Sequence, residues 1–142
     1  GKSSLCRLRQ GRIITSDIIR LAVLGNTGDS SHDEFVWNLA LEAVEYFLEF
    51  SDVYYDATNT TQKRRAPFIS LAQRLGKEVI CVWVSTPKKQ CLKQNQKRLG
   101  SLPDWVIENV ARDFEEPSLD EGFAWIESWI ASENGFKGYF SH

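Results

Sequence analysis

Residues 53–59, VYYDATN, decide the fold, because an apolar run ends there in a carboxylate followed by turn residues. A second run of the same kind, RIITSD, occupies residues 12–17 and also ends in an aspartate. Between them, residues 32–50 carry apolar side chains at helical spacing, preceded by a capping-box pattern of Ser31 and Glu34. The periodic apolar positions are Val36, Ala40, Ala43, Val44 and Phe47. This order of strand, helix and strand predicts two parallel strands joined by a crossover helix.

The rest of the chain continues the alternation. A helix is predicted from about Thr61 to Leu75, stopping at Gly76, with Pro67 marking either a kink or a late start. Four further elements follow, namely strand 78–84, a basic helix from Thr86-Pro87 to about Arg98, a helix from Pro103 to about Glu115, and strand 123–130. We therefore expect an α/β fold with a parallel sheet covered on both faces. Since no repeat or linker divides residues 1–142, we expect one domain.

The composition fits one ordinary globular domain. Of 142 residues, 42% are hydrophobic and 25% are charged, which provides one core and excludes disordered and fibrous classes. No stretch approaches the about 18 apolar residues that a membrane helix needs, and no leader pattern opens the chain, so a soluble protein without a membrane partner is expected. Cys6, Cys81 and Cys91 have neither disulfide nor zinc spacing. We expect a cytoplasmic protein with no structural zinc.

A local basic segment contrasts with the net charge of -2, which gives no bulk attraction to nucleic acids. Its positive residues are Lys88, Lys89, Lys93, Lys97 and Arg98. One hypothesis is a lid over about residues 87–100 that closes on phosphates and supplies positive charge to a transferring phosphoryl group. The alternative is a solvated surface helix.

The chain begins with GKSS at residues 1–4, the second half of a phosphate-binding loop. In such a loop the Lys2 ammonium reaches the β- and γ-phosphates and the Ser3 hydroxyl ligates Mg²⁺, at a helix N-terminus that favours anions. The alternative is a piece of coil with a chance match. Because the strand and leading glycines of the loop do not precede Gly1, we expect the first strand to be missing from this sequence.

Two aspartates follow predicted strands. Asp17 comes after the strand at 12–15 and Asp56 after the strand at 53–55, so both carboxylates are expected at the same edge of a parallel sheet as Lys2 and Ser3. One carboxylate would hold the water shell of a metal ion, and the other would accept the proton of an attacking hydroxyl. The alternative is that each aspartate merely caps the next helix or turn.

Five segments in a fixed order carry a resemblance. They are GKSS at 1–4, TSDIIR at 15–20, YDATN at 55–59 followed by Arg64-Arg65, Asn95 with Arg98, and EEPSLDEGF at 115–123. Together they resemble the P-loop kinase family that includes polynucleotide 5′-hydroxyl kinases. The resemblance implies a P-loop NTPase-type parallel sheet flanked by helices, with a mobile helical lid. Gln94 departs from it, since many relatives have an arginine directly before the asparagine.

The resemblance also implies a role for each matching residue. Lys2 would hold the β- and γ-phosphates, Asp17 would be the general base toward the acceptor hydroxyl, and Arg98 would be the lid arginine. Nucleotide binding would fall to Gly1, Lys2, Ser3, Ser4 and Arg98. Metal binding would fall to Ser3 and Asp56. Acceptor binding would fall to Asp17, Arg20, Asp56 and Asn59, with Arg64 or Arg65 in the same cleft.

The function that this resemblance implies is an ATP- and Mg²⁺-dependent kinase that transfers the γ-phosphate to a hydroxyl, with an RNA or DNA 5′-end as the leading acceptor. A kinase for sugars, nucleotide sugars or other small molecules is one alternative, and an ATP-binding module without transfer is another. Asp17 discriminates between them, because a pure nucleotide switch has no use for a base beside an acceptor. Trp37 and Trp105 would be able to stack bases, but their helical positions favour a role in the core.

Overall fold

A computed structural model describes residues 2–97, 99, 101–132 and 135–141. The chain divides into two compact units, Gly1–Thr58 (unit 1) and Asn59–His142 (unit 2). Each unit is a separate arrangement of helices and strands. The expectation of a single domain over residues 1–142 stays a prediction.

Unit 1 is built around a pair of parallel strands. Its elements are α1 (Lys2–Cys6), β1 (Arg12–Thr15), α2 (Ser16–Leu24), α3 (Asp33–Leu48) and β2 (Val53–Asp56). Strands β1 and β2 pair in register from Arg12 opposite Val53 to Thr15 opposite Asp56. Helix α3 packs against both strands and forms the crossover between them. The parallel pair predicted from the two apolar runs is confirmed.

Helix α2 follows β1 without a loop, and the sequence analysis did not predict it. Thr15 is both the last residue of β1 and the N-cap of α2, where its Oγ1 accepts a hydrogen bond from the N–H of Ile18 at 3.0 Å. The helix ends at Gly25, whose left-handed φ of 72° suits glycine. Ser16 and Asp17, which follow the apolar run of β1, therefore begin a helix instead of a turn.

Helix α3 confirms the predicted crossover helix but not its predicted cap. Val36 and Ala40 are 0% exposed, so the periodic apolar positions form the core of unit 1. The N-cap is His32, and its side chain makes no capping hydrogen bond. Ser31 instead donates its backbone N–H to the Asp29 carboxylate at 2.9 Å. The capping box was wrong because a nearer carboxylate engages Ser31.

Unit 2 contains three helices and three strands among the described residues. They are α4 (Gln62–Arg74), β3 (Ile80–Val84), α5 (Lys88–Gln96), α6 (Asp104–Asp113), β4 (Trp125–Ser132) and β5 (Gly135–Ser141), with a 3-10 turn at Leu119–Glu121. Pro67 lies inside α4, which starts directly after its cap Thr61, so the late-start alternative is wrong. The four elements predicted from residues 78 to 130 are confirmed, with shifted ends.

Among the described residues, the strands pair in two sheets, and the expected parallel pairing is present in each. Strands β1 and β2 make one sheet, and β3, β4 and β5 make the other in that order. Strand β3 pairs parallel to β4, but β5 pairs antiparallel to β4, with Glu127 opposite Phe140. The sequence analysis ended its last strand at residue 130 and missed β5. Because β5 follows β4 closely along the chain, a hairpin is the connection available to it.

Candidate functional site

Ser3, the predicted P-loop serine, is in contact with Asp56 at the end of β2. Ser3 lies on α1, which packs against β2 and whose Leu5 is buried. Its Oγ donates a hydrogen bond to Oδ2 of Asp56 at 2.5 Å. Asp56 is 9% exposed and is the last residue of β2. The structure thus joins two of the predicted site residues, although they are 53 positions apart in the chain.

Two further predicted P-loop residues, Lys2 and Ser4, lie on the same short helix. Lys2 and Ser4 are exposed on α1, and Gly1 lies outside the described residues. Partial burial and the negative charge of Asp56 raise the pKa of the Cys6 thiol, while the positive charges of Arg9 and Lys2 act to lower it. Cys6 therefore carries a neutral thiol at neutral pH. It lies within electrostatic range of Lys2 and Asp56, and no sequence pattern singled it out.

Asp17 lies in the first turn of α2 and is held by an arginine. Nη1 of Arg20 donates to Oδ1 of Asp17 at 3.0 Å and to the carbonyl of Thr27 at 3.4 Å. Nη2 of Arg20 donates to Oδ1 of Asp33 at 2.7 Å. The side chain of Asp17 is 64% exposed, against 11% for Arg20 and 23% for Asp33. Asp17 is therefore the solvent-facing member of this group.

Asp33 was not among the predicted site residues. It lies in the first turn of α3, where a carboxylate also suits the positive end of the helix dipole. That local explanation concealed its second role, which is to bind Nη2 of Arg20 while Asp17 binds Nη1. The Nε atom of Arg20 is buried and has no hydrogen-bond partner in the described part of the chain. Arg20 is thus fixed through its two terminal nitrogens.

In unit 2, the structure distinguishes the two arginines between which the sequence did not choose. Arg65 is 5% exposed, and its Nε and Nη2 donate to the two carboxylate oxygens of Glu121 at 2.7 and 2.8 Å. Its Nη1 donates to the carbonyls of Asn59 and Glu115, both at 3.0 Å. Arg65 is therefore used in holding unit 2 together. Arg64 is half-buried, and its backbone N–H bonds the cap residue Thr61.

The EEPSLDEGF segment surrounds Arg65 and has a structural role. Ser118 and Glu121 form a capping box on the 3-10 turn. Burial acts to raise the pKa of Glu121, but hydrogen bonds from Arg65 and from the N–H of Ser118 outweigh it, so the pKa lies below its usual value. Because its carboxylate receives three donors, Glu121 is a fixed anchor and not a proton carrier.

Burial also raises the pKa of the Cys81 thiol to about 11.

The predicted lid helix is present as α5, which begins after Pro87. Asn95 is 7% exposed; its Nδ2 donates to the carbonyl of Leu102 at 2.6 Å, and its Oδ1 accepts from the N–H of Leu102 at 2.9 Å. The Asn95 that carries the resemblance thus ties α5 to the chain before α6. Arg98, predicted as the lid arginine, lies outside the described residues. Trp105 is 62% exposed, so its expected place in the core was wrong.

The donor set at Ser3 and Asp56 fits a magnesium ion. Hydroxyl and carboxylate oxygens are hard ligands, and Mg²⁺ is usually held by one or two carboxylates together with substrate phosphates and waters. Among the described residues, no three His, Cys, Asp or Glu side chains come together as a metal site. An ion at Ser3 and Asp56 would therefore take its other ligands from a bound nucleotide and from water.

Within the described ranges, no helix combines the length and the apolar character needed to cross a membrane.

No curated protein matches the sequence significantly. The sequence does match the AAA domain family over residues 1–117, which includes α1, β1, β2 and every predicted site residue. That family is P-loop NTPase-like and is found in kinases, polynucleotide kinases among them. The chain, with its P-loop serine bonded to the aspartate at the end of β2, belongs to the AAA domain family.

Proposed function

We propose that this protein is an ATP-dependent phosphotransferase that moves the γ-phosphate of ATP to a hydroxyl, with a polynucleotide 5′-hydroxyl end as the acceptor. The hydrogen bond between Ser3 and Asp56 carries the proposal, because it places a P-loop hydroxyl beside a buried strand-end carboxylate. These two groups hold the metal ion in P-loop NTPases. Membership in a family found in kinases supports the same reaction class.

On the nucleotide side, Lys2 binds the β- and γ-phosphates, and Gly1, Ser3 and Ser4 complete the loop. Ser3 and Asp56 hold Mg²⁺, which when bound neutralises the charge that develops on the phosphate oxygens. In the described structure the Ser3 hydroxyl donates to Asp56, which keeps both oxygens together and oriented. The lysine contributes a mobile point charge, which suits phosphate oxygens.

On the acceptor side, Asp17 accepts the proton of the attacking hydroxyl. The hydroxyl oxygen forms a bond to the γ-phosphorus, the bond from that phosphorus to the β,γ-bridging oxygen breaks, and ADP leaves. Arg20 orients Asp17 through its ion pair at 3.0 Å and is itself held by Asp33 at 2.7 Å. Because Asp17 is exposed while Arg20 is buried, Asp17 contacts the acceptor and Arg20 supports it from behind.

Three further residues keep their predicted roles within this proposal. Arg98 supplies positive charge to the transferring phosphoryl group as the lid arginine. Asn59 and Arg64 contribute to acceptor binding. Arg65 is left out of the acceptor cleft, because all three of its nitrogens donate within unit 2.

The test is transfer from radiolabelled ATP to a panel of acceptors. The panel holds 5′-hydroxyl RNA, 5′-hydroxyl DNA, nucleosides and sugars, and the proposal expects label on the polynucleotides. The Lys2→Ala variant should lose turnover while keeping its fold, as judged by circular dichroism. Label on sugars or nucleosides alone would select the small-molecule alternative. ATP binding without transfer to any acceptor would select the non-catalytic module.

A further inference from the structure

One long segment of the chain contains no acidic residue. From residue 79 to residue 103 there is no Asp or Glu, while five of the 17 lysines and arginines occur there. The other basic residues are outnumbered by the 19 acidic residues, all of which lie outside this segment. The protein is thus acidic overall with one concentrated positive region, and three of its five basic residues, Lys88, Lys89 and Lys93, lie in α5.

Helix α5 has one face fixed and one face free. Asn95 bonds the backbone of Leu102 and so marks the face that packs on the rest of unit 2. Cys91 lies one turn earlier on the same face and donates to the carbonyl of Thr86, just before the helix. Lys89, Lys93 and Lys97 recur at intervals of four residues, which places them in one row along the helix. Lys97 keeps helical backbone angles just after the last turn. We call Lys89, Lys93 and Lys97 the basic row.

The basic row is exposed and unneutralised. All three lysines are exposed. No carboxylate in the described part of the chain forms an ion pair with them, whereas Arg20 pairs with two carboxylates and Arg65 and Arg112 each pair with one. Like charges one turn apart on a helix repel each other and destabilise it. A row of three therefore works against the stability of α5 unless a polyanion binds it.

We propose that the basic row binds the sugar-phosphate backbone of a single-stranded polynucleotide. The inference deepens the proposed function and rests on it, because the proposed acceptor is itself a polyanion that extends beyond its reacting end. Lysine ammonium groups contact phosphates without reading the bases, so binding through the row is independent of sequence. The row holds the strand, and the reacting hydroxyl belongs to the site of Lys2, Ser3 and Asp17.

The neighbours of the row favour a nucleic acid over a lipid surface. Helices that lie on membranes pair a basic face with exposed Trp, Phe or Leu side chains. In α5 the residues beside the row are glutamines, at positions Gln90, Gln94 and Gln96. Leu92 is half-buried. Glutamine side chains bond phosphate and sugar oxygens in nucleic-acid complexes. Within α5 itself this face carries no exposed Trp, Phe or Leu, and the exposed Leu99 lies beyond the end of the helix.

The test measures binding without catalysis. A 5′-phosphorylated, 3′-labelled single strand is titrated with protein in the absence of ATP and followed by fluorescence anisotropy. We expect the parent to bind with a dissociation constant of about 10⁻⁴–10⁻⁶ M at physiological salt. The triple variant Lys89→Gln/Lys93→Gln/Lys97→Gln should bind about 100-fold more weakly at about 0.1 M salt. Its plot of log affinity against log salt should lose about 2 from its slope, at about 0.7 per single-strand contact.

A matched variant controls for net charge. Lys63, Lys77 and Lys137 are also exposed lysines of unit 2 but lie outside α5, and their triple change to Gln removes the same charge. This control should bind the strand within about threefold of the parent, since long-range effects of exposed charges are largely screened at this salt. Circular dichroism of both variants checks that the fold is kept.

Several outcomes would overturn the inference. They are equal losses in the two triple variants, no saturable strand binding by the parent, and tighter binding of anionic vesicles or polyglutamate than of the strand. The proposed function is tested separately. A protein that binds strands through the row but transfers no phosphate would retain the row and lose the kinase assignment. A protein that phosphorylates 5′-hydroxyl strands, but whose two triple variants bind strands equally well, would retain the kinase assignment and lose the basic row.

Discussion

Arg20 determines how Asp17 is presented. The arginine is nearly buried and is held by two carboxylates, Asp17 at 3.0 Å and Asp33 at 2.7 Å. A carboxylate held by a fixed guanidinium has a defined orientation, and positioned proton acceptors are effective because no reorganisation is needed at the moment of reaction. Asp33 is a second carboxylate beside Arg20. The positive charge of Arg20 is therefore shared between Asp33 and Asp17 and does not act on Asp17 alone.

Replacing the proposed base gives the first prediction at this scale. Asp17→Asn should keep ATP binding but lower the transfer rate by about 10²–10⁴-fold, the usual contribution of a general base. Steady-state kinetics with the preferred acceptor, beside a nucleotide-binding titration, would measure both. A rate loss under about tenfold would mean that Asp17 only stabilises the first turn of α2 and pairs with Arg20.

Asp33→Asn is the matched variant for that experiment. It keeps the size of the side chain and leaves Arg20 paired with Asp17 alone, so we expect a smaller fall in kcat with little change in the KM for ATP. A fall in kcat as large as that of Asp17→Asn, with a rise in the KM for ATP, would point to a general structural role for Asp33.

Gly122 offers a prediction about stability. Its φ is 111°, and an added Cβ would lie 3.0 Å from Cγ2 of Ile69 and would crowd the Gln73 amide. We expect Gly122→Ala to lower the free energy of unfolding by about 1–3 kcal/mol from backbone strain, with a further loss from crowding. Gly76→Ala is the control, because Gly76 has φ of 66° and nothing within 4 Å of the added atom. Urea unfolding curves that coincide would contradict the crowding argument.

At the scale of whole elements, α5 is the helix whose behaviour is most open to test. If it is a lid, its amide hydrogens should exchange more slowly when an ATP analogue and Mg²⁺ are added. Arg98→Ala should lower the transfer rate far more than Lys88→Ala, because a charge aimed at the transferring group stabilises the transition state. Equal losses, or exchange that does not respond to nucleotide, would leave α5 a surface helix.

The elements also show where sequence reasoning succeeds and where it does not. Helix α3 was predictable because its apolar positions recur over 16 residues. Helix α2 was not, since Thr15 belongs to a strand and a helix at once and no loop separates the two. Strand β5 was missed because its pairing with β4, and not its own sequence, stabilises it. Contacts between distant segments are the part that a local pattern does not contain.

Some contacts of the candidate site were also predictable from the sequence, and others were not. The pairing of Ser3 with Asp56 was expected, because parallel strands end at one edge of a sheet. The choice between Arg64 and Arg65 was not, since adjacent residues on a helix point in different directions and only the packed structure shows which one is buried. Asp33 escaped notice because an acidic residue in a first helical turn has an ordinary explanation.

At the scale of the whole molecule, the pair of Arg65 and Glu121 makes stability depend on pH. Hydrogen bonds from Arg65 and Ser118 outweigh burial and hold the pKa of Glu121 below its usual value. A pKa lowered by folding contributes stability that is complete at neutral pH and is lost as pH falls through the folded-state pKa. Glu121→Gln should therefore unfold at lower urea at pH 7, with a loss of about 1–3 kcal/mol, and should show a flatter loss below about pH 5.

Glu116→Gln is the control for that measurement, because Glu116 is exposed and lies in the same segment. Its unfolding curve should follow the parent at both pH 7 and pH 4. Identical pH dependence in the parent and in Glu121→Gln would show that Glu121 does not set the acid sensitivity of the protein.

The buried position of Arg65 has a consequence for biosynthesis. Its carboxylate partner, Glu121, follows it by 56 residues, and its backbone partner Glu115 by 50. At about 5–20 residues per second, a ribosome needs about 3–11 seconds to add that length of chain. During that interval Arg65 lacks its carboxylate partner Glu121 and stays hydrated. The N-terminal end of α4 is therefore unable to dock. The hydrogen bonds of Ser3 and Arg20, by contrast, need nothing beyond Asp56. Nascent chains halted before and after Glu121 would therefore differ in resistance to protease around α4, while the segment up to Thr58 would be equally resistant in both.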